Sequence, residues 1–151
     1  MQAKLRRMRE ERADGDSGFT LIELLVVVVI IGVLVAIATP LYLNYRKGAS
    51  NKSAASDVRG AISAMEQYYT DNGNLYPTPP GTVAASGTSI VVGSMTITVS
   101  SGDQLQWKLV GTTSYVMCGI SNDGGAVYKY DSSTGGSVAK SAATTLVGCL
   151  T

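Results

Sequence analysis

The sequence contains no histidine and only two cysteines, so the side chains that most often transfer protons or form covalent intermediates in enzymes are scarce. It also has no pair of carboxylates at a spacing typical of a catalytic site. This composition argues against an enzyme, and it indicates neither a cofactor nor a metal. Asp123 is a candidate calcium ligand, but its setting in Asn122-Asp123-Gly124-Gly125 favours a turn.

The chain also lacks a strong charge of either sign. It has 12 basic and 11 acidic residues, of which five and four lie in residues 1–18, so the remainder carries seven of each. A neutral chain has no bulk attraction to nucleic acid. Lys108, Lys129 and Lys140 are too scattered for a basic patch, so no specific nucleic-acid partner is expected.

What the sequence does have is a long apolar run, residues 19–38, in which Glu23 is the only ionisable side chain. Twenty residues at about 1.5 Å each cross a hydrocarbon core of about 30 Å as one helix. A carboxylate inside such a span costs roughly 2.5–3.5 kcal/mol, less near its end, and so indicates a partner. The basic residues that precede the span place the leader in the cytoplasm and the rest outside; they are Lys4, Arg6, Arg7, Arg9 and Arg12.

The string GFTLIELLVVVVIIGVLVAIATPLY, residues 18–42, closely resembles the class III signal of type IV prepilins and pseudopilins. The resemblance implies that prepilin peptidase cuts between Gly18 and Phe19 and methylates the new N-terminus, which removes residues 1–18 as a leader. It also implies that Glu23 neutralises the α-amine of Phe19 on a neighbouring subunit. Such a buried pair selects the register of packing more than it adds stability. The plainer alternative is an anchor whose Glu23 reaches the headgroups.

A conventional secretory signal is a competing interpretation. Residues 24–35 have the length of an apolar core, and Ala36-Ile37-Ala38 fits an A-x-A cleavage site. That route would release a soluble domain beginning at Thr39. The long acidic leader and Glu23 argue against it.

Gly32 and Pro40 fall where the pilin family has its helix-breaking glycine and proline. Pro40 lacks a backbone donor and clashes with the carbonyl four residues earlier, so a kink over residues 36–40 is predicted. In family filaments this segment can lose helicity. The alternative is that Gly32 only permits close helix packing and Pro40 only bends the chain.

Residues 39–151 are predicted to form an α+β head in which the long helix continues to about residue 72 and packs on a four- to five-stranded antiparallel sheet. Val58, Ile62, Met65 and Tyr69 form one helix face, whereas residues 42–56 lack such a stripe, as suits a stalk among other subunits. A loop follows over residues 73–88. Alternating apolar residues and turn signals predict strands near 89–92, 95–100, 104–110, 114–120 and 126–131, within which Trp107 is a core residue.

Cys118 and Cys149 lie in the part predicted to be outside the cytoplasm, where an even pair indicates a disulfide; two buried free thiols are the alternative. Many pilins have such a C-terminal disulfide loop, whereas major pseudopilins typically use calcium there. The resemblance therefore favours a pilus over a pseudopilus.

Together these features predict a structural subunit, namely a prepilin that is a major pilin. A peptidase would process it, and an assembly platform and motor would polymerise it into a type IV pilus. Before assembly it would span the cytoplasmic membrane once, with its N-terminus in the cytoplasm; afterwards it would form a surface or extracellular filament of identical subunits. The alternatives are a pseudopilin of type II secretion, and a minor or competence pilin that binds DNA or surfaces.

Overall fold

The computed structural model describes residues 18–79 and 89–151 of the chain. Its elements are a 51-residue helix α1 (Leu21–Asp71), six strands and a short helix α2 (Leu146–Leu150). The strands are β1 (Ser89–Val92), β2 (Met95–Thr98), β3 (Asp103–Val110), β4 (Ser114–Ser121), β5 (Val127–Asp131) and β6 (Ala139–Lys140). The chain divides into two compact units, one ending at Leu41 and the other comprising Tyr42–Thr151. The predicted α+β class is confirmed. The end of the predicted loop and the whole leader before Gly18 lie outside the described residues.

The first unit is the apolar part of α1, whose large side chains up to Leu41 are 49–83% exposed. By length and composition this helix can cross a membrane. Gly32 and Pro40 lie inside α1 without interruption. The Thr39 hydroxyl donates to the carbonyl of Val35 at 2.8 Å, so it forms a hydrogen bond within the helix. Loss of helicity at this segment in a polymer remains a prediction.

The second unit contains two antiparallel sheets: a β1-β2 hairpin and a four-stranded sheet in the order β3-β4-β5-β6. The predicted antiparallel pairing is confirmed for β3, β4 and β5, whereas β1 and β2 form a hairpin of their own and are not part of that sheet. The backbone N–H of Ser100, just beyond β2, donates to the Asp57 carboxylate at 2.7 Å, and its hydroxyl does so at 2.8 Å. These bonds tie the chain to α1 at the point where β2 ends.

The main core lies between α1 and the strands. Val58 and Met65 of the predicted helix face are fully buried, and Ile62 packs against the core. Ala54, Ala55 and Ala61 are buried as well, although small residues gave no stripe in the sequence. The sheet contributes Leu105, Trp107, Tyr115 and Met117. The Trp107 indole N–H donates to the carbonyl of Pro77 at 3.2 Å, which joins the core to the loop after α1.

A second cluster covers the other face of the sheet. It consists of Val116, Cys118, Val127, Leu146 and Cys149, and the two cysteines form the predicted disulfide with Cα atoms 6.3 Å apart. Thr145 caps α2, since its hydroxyl accepts from Gly148 N–H at 3.1 Å. The C-terminal segment thus covers β4, whose residues 115–119 are all buried.

Gly119 is expected to be essential for the contact between β4 and α1. A Cβ there would lie 2.6 Å from Val58 Cγ2 and 3.2 Å from the Ala54 carbonyl oxygen. Gly119→Ala should therefore lower the free energy of unfolding by about 1–3 kcal/mol, as overpacking does. The matched control is Gly60→Ala, since nothing lies within 4 Å of a Cβ at Gly60 in α1; it should raise stability by up to about 1 kcal/mol. Urea unfolding measures both, and equal stability of the two variants would contradict the packing described.

Candidate assembly site at the helix N-terminus

Thr20 and Glu23 close the N-terminus of α1 with a reciprocal set of hydrogen bonds. The Glu23 carboxylate oxygen Oε2 accepts from the Thr20 backbone N–H at 3.0 Å and from its hydroxyl at 2.7 Å. The Glu23 N–H donates to Thr20 Oγ1 at 3.3 Å. This is a capping box, which satisfies donors that the first helical turn leaves without intrahelical partners. Within a single chain, Glu23 therefore caps the N-terminus of its own helix.

The Glu23 carboxylate also lines an open groove whose other walls are apolar. They are formed by Phe19, Ile22, Val26 and Val27. Phe19 is 80% exposed. An exposed carboxylate on an otherwise apolar surface can accept a cationic group from a second molecule, and contact with a second apolar helix would remove both from water. The groove thus brings together the two predicted assembly residues, Phe19 and Glu23, in one chain.

Gly18 and Phe19 precede the helix, which begins at Leu21. Both residues are exposed. No atom lies within 4 Å of a Cβ built at Gly18, so the described fold has no steric need for glycine there. A cleavage between these two residues would leave the backbone N–H of Thr20, and so the capping box, in place.

Sequence reasoning missed Thr20, although the signal was present. A Thr followed three residues later by Glu, directly before an apolar run, is the sequence pattern of a capping box.

Thr20→Val is expected to weaken the cap without removing the charge. Loss of an N-cap hydroxyl costs about 1 kcal/mol, so amides of residues 21–24 should exchange with deuterium about fivefold faster in detergent micelles. Thr20→Ser, which keeps the hydroxyl, is the control. Equal exchange in the Val and Ser variants would show that the hydroxyl does not cap the helix.

Asp123 does not belong to a group of potential metal ligands, because residues 18–79 and 89–151 contain no cluster of three His, Cys, Asp or Glu side chains. Its carboxylate instead forms an ion pair with Arg46 at 2.7 Å. Asn122-Asp123-Gly124-Gly125 forms the turn that the sequence favoured. Asn51, which fits an N-x-S glycosylation pattern, accepts a hydrogen bond from Ala126 N–H at 3.1 Å and is half-buried.

Glu66 and a group of tyrosines form a polar cluster in the second unit. The Glu66 carboxylate accepts from the Tyr115 hydroxyl at 3.1 Å and from the Tyr76 hydroxyl at 3.2 Å. Burial raises the pKa of the Tyr76 phenol to about 12, with the Glu66 charge as the next cause. Burial and then Glu66 also raise the pKa of Tyr115. The rings of these two tyrosines meet edge to face with centroids 4.7 Å apart.

This cluster predicts a loss of stability in alkali. Tyrosine in an unfolded chain ionises near pH 10, whereas the folded state keeps these phenols neutral to about pH 12 or above. Their contribution is therefore fully present below about pH 10 and falls as the pH rises through that interval. Urea unfolding at pH 8, 10 and 11 should show a shallower decline for Tyr115→Phe than for the wild type. Tyr45→Phe, at a 72% exposed position, is the control, and identical declines in all three proteins would refute the assignment.

Comparison with known families places the most specific match at the same N-terminal segment. A family model for the prokaryotic N-terminal methylation motif matches residues 14–39. The matched residues include Gly18, Phe19, Thr20 and Glu23, together with most of the apolar run.

Curated relatives come from two kinds of protein. Type II secretion system core protein G of Aeromonas hydrophila is 40% identical over 63 residues, which are 42% of this chain and 43% of that protein. Type IV major pilin protein PilE1 of Neisseria gonorrhoeae is 37% identical over 89 residues, 58% of this chain and 41% of the relative. Fimbrial protein EcpC of Eikenella corrodens is 43% identical over 58 residues, 38% of each chain. The matches thus span less than half the length of these relatives. No solved structure matches the chain.

Proposed function

Since this chain belongs to the type IV pilin and pseudopilin superfamily, we propose that it is a prepilin whose mature form polymerises into a type IV pilus. Prepilin peptidase would cut between Gly18 and Phe19 and methylate the Phe19 amine. Before assembly, the apolar part of α1 would hold the subunit in the cytoplasmic membrane with the leader inside. A platform and a motor, both separate proteins, would then move it into the filament.

The observation that carries this proposal is the exposed Glu23 carboxylate in an apolar groove with Phe19. In a polymer, the apolar helices cover one another, and a carboxylate among them would need a cation. The methylated amine of Phe19 in a neighbouring copy is such a cation, and every subunit in the filament carries one. Repeating one head-to-tail contact without closure produces an open filament.

Formation of that contact would not require Glu23 to release Thr20. In the single chain its Oε2 is bonded to Thr20. A carboxylate has about four lone-pair sites on two oxygens. Glu23 can therefore keep its hydrogen bonds to Thr20 through Oε2 while its second oxygen accepts a hydrogen bond from the Phe19 amine of a neighbouring copy. The cap would hold the carboxylate in one orientation before the neighbouring subunit arrives.

A pseudopilin of a type II secretion system is the second candidate, because the core protein G relatives match at the same level of identity as the pilins. The disulfide between Cys118 and Cys149 supports the pilin, since the family resemblance associates a C-terminal disulfide loop with pilins and calcium with major pseudopilins. A minor pilin that binds DNA or surfaces has no specific observation in its favour.

Immunogold electron microscopy of the native host tests the proposal. An antibody against the second unit should label long surface fibres at normal expression, and deletion of the gene should remove them. Labelling confined to the cell envelope, with a secretion defect in the deletion strain, would refute the pilin assignment and support the pseudopilin. If the deletion strain lost no fibres and had no secretion defect, both the pilin and the pseudopilin would be refuted.

A further inference from the structure

The turn between β4 and β5 lies directly against α1 near the start of the second unit. Arg46 Nη2 and Asp123 Oδ2 are 2.7 Å apart. Five residues further along the helix, Asn51 Oδ1 accepts a hydrogen bond from the backbone N–H of Ala126 at 3.1 Å. We refer to residues 122–126 together with Arg46 and Asn51 as the clasp.

The clasp depends on close approach of the turn to the helix backbone. A Cβ built on Gly124 would overlap the Asn51 side-chain amide and would lie 2.9 Å from the Asn51 backbone nitrogen. Only a residue without a side chain fits there while Asn51 stays helical. The contact therefore recognises the helical conformation at Asn51 and would be lost if that turn of the helix opened.

The turn is itself held firmly to the sheet. Asn122 N–H donates to the Gly102 carbonyl at 2.8 Å, and Gly125 N–H donates to the Ser121 carbonyl at 2.9 Å. The Gln104 side-chain amide donates to Asn122 Oδ1 at 3.0 Å. The clasp is thus connected through β3 and β4 to the main core, and it can resist movement of the helix turn that it contacts.

The helix before the clasp has few means of support. Tyr42 and Tyr45 are 66% and 72% exposed, and in the described part of the chain the first fully buried residue of α1 is Ala54. Pro40 cannot make the backbone bond to Ala36, and Gly48 costs roughly 1 kcal/mol relative to alanine in a helix. Unwinding that begins near Pro40 would therefore meet its first firm contact with the sheet at the clasp.

We propose that the clasp is a stop that limits how far α1 unwinds from Pro40 toward the head. The stop acts in the isolated subunit, whereas its role during polymerisation rests on the proposed function. With the stop in place, the helix between Pro40 and the clasp can open or bend as neighbouring subunits pack, while the helix beyond Asn51 keeps the core closed.

Hydrogen–deuterium exchange of the full-length chain in detergent micelles, read by mass spectrometry, tests this stop. In Asn51→Ala, amides of residues 47–53 should exchange about tenfold faster than in the wild type, because loss of one hydrogen bond and its contact lets the opening extend to Ala54. Arg46→Gln should give a smaller increase, about twofold, since an exposed ion pair contributes little. Amides of β4 and of residues 58–65 should remain unchanged.

Two neighbouring exposed positions supply matched controls: Asn44→Ala and Lys47→Gln change the same kinds of side chain and should leave exchange at 47–53 as in the wild type. Unchanged exchange at 47–53 in Asn51→Ala would refute the stop, and so would an equal increase in the controls. Faster exchange throughout β4 in Asn51→Ala would refute it too, by making Asn51 a requirement for the whole fold. None of these results depends on filament formation, so failure to polymerise would refute the proposed function alone.

Discussion

Glu23→Ala is expected to reach the membrane at the wild-type level and to form essentially no filament. Without the carboxylate, the Phe19 amine of a neighbouring copy would be buried among apolar helices with no partner. Removing one member of a buried ion pair costs about 3–5 kcal/mol, which is a factor of roughly 150–5,000 in the association constant of each added subunit. Membrane fractionation measures insertion, and electron microscopy of sheared filaments measures assembly.

Two further variants separate the charge of Glu23 from its role in the cap. Glu23→Gln keeps an acceptor for Thr20 in a capping box but removes the charge, so it should assemble as poorly as Glu23→Ala. Thr20→Val keeps the charge and weakens the cap, so it should still form filaments. Normal filaments from Glu23→Gln would contradict charge pairing and would leave the cap as the role of this residue.

Loss of the disulfide is expected to have the largest effect on the stability of the second unit. Cys118 and Cys149 are separated by 31 residues, and closing such a loop contributes roughly 3–4 kcal/mol in the chain-entropy model. For a unit of this size the melting temperature should fall by about 10–20 °C. The segment that the bond holds includes α2, which covers the apolar outer face of β4. Thermal unfolding by circular dichroism should show the decrease in Cys118→Ser/Cys149→Ser.

The wild-type protein in a reducing agent that opens the bond should melt near the double variant, and the reducing agent should not affect the double variant itself. Agreement of these two samples excludes an effect of the serine side chains alone. A double variant that melts within about 2 °C of the oxidised wild type would show that the C-terminal segment holds its place without the covalent link.

Regular patterns in the sequence predicted most of the fold. The helix ends at Asp71 as expected, because Gly73 and Asn74 adopt left-handed backbone conformations with φ of 67° and 63°. The alternation of apolar and polar residues predicted the ends of β3 and β4 to within a residue or two. The same alternation could not show that β1 and β2 form a separate hairpin, because the pairing of strands depends on contacts between distant parts of the chain. The bond between Ser100 and Asp57, 43 residues apart, is one such contact. β6 and α2 lie in a Ser, Thr and Gly-rich segment, which is ordered because β6 pairs with β5 and α2 packs on β4.

Candidate functional residues could be predicted where a local pattern marks them, but not where they depend on contacts between distant parts of the chain. Glu23 is a candidate because a charge inside an apolar span is costly wherever the chain folds, and Phe19 is a candidate through the family resemblance. The role of both residues in assembly remains a prediction. Residues 42–56 were predicted to be a stalk among other subunits, but Asn51 contacts the β4–β5 turn of its own chain and Ala54 and Ala55 are buried there. Contacts such as Arg46 with Asp123, 77 residues apart, leave no local pattern that sequence reasoning can detect.

The most direct test of the central claim is the intact mass and N-terminal sequence of the chain in filaments sheared from the native host. The account predicts a chain that begins at N-methylated Phe19 and is two mass units lighter than the reduced form, because Cys118 and Cys149 are joined. A soluble chain that begins at Thr39, absent from any filament, would identify a secreted domain and contradict the account.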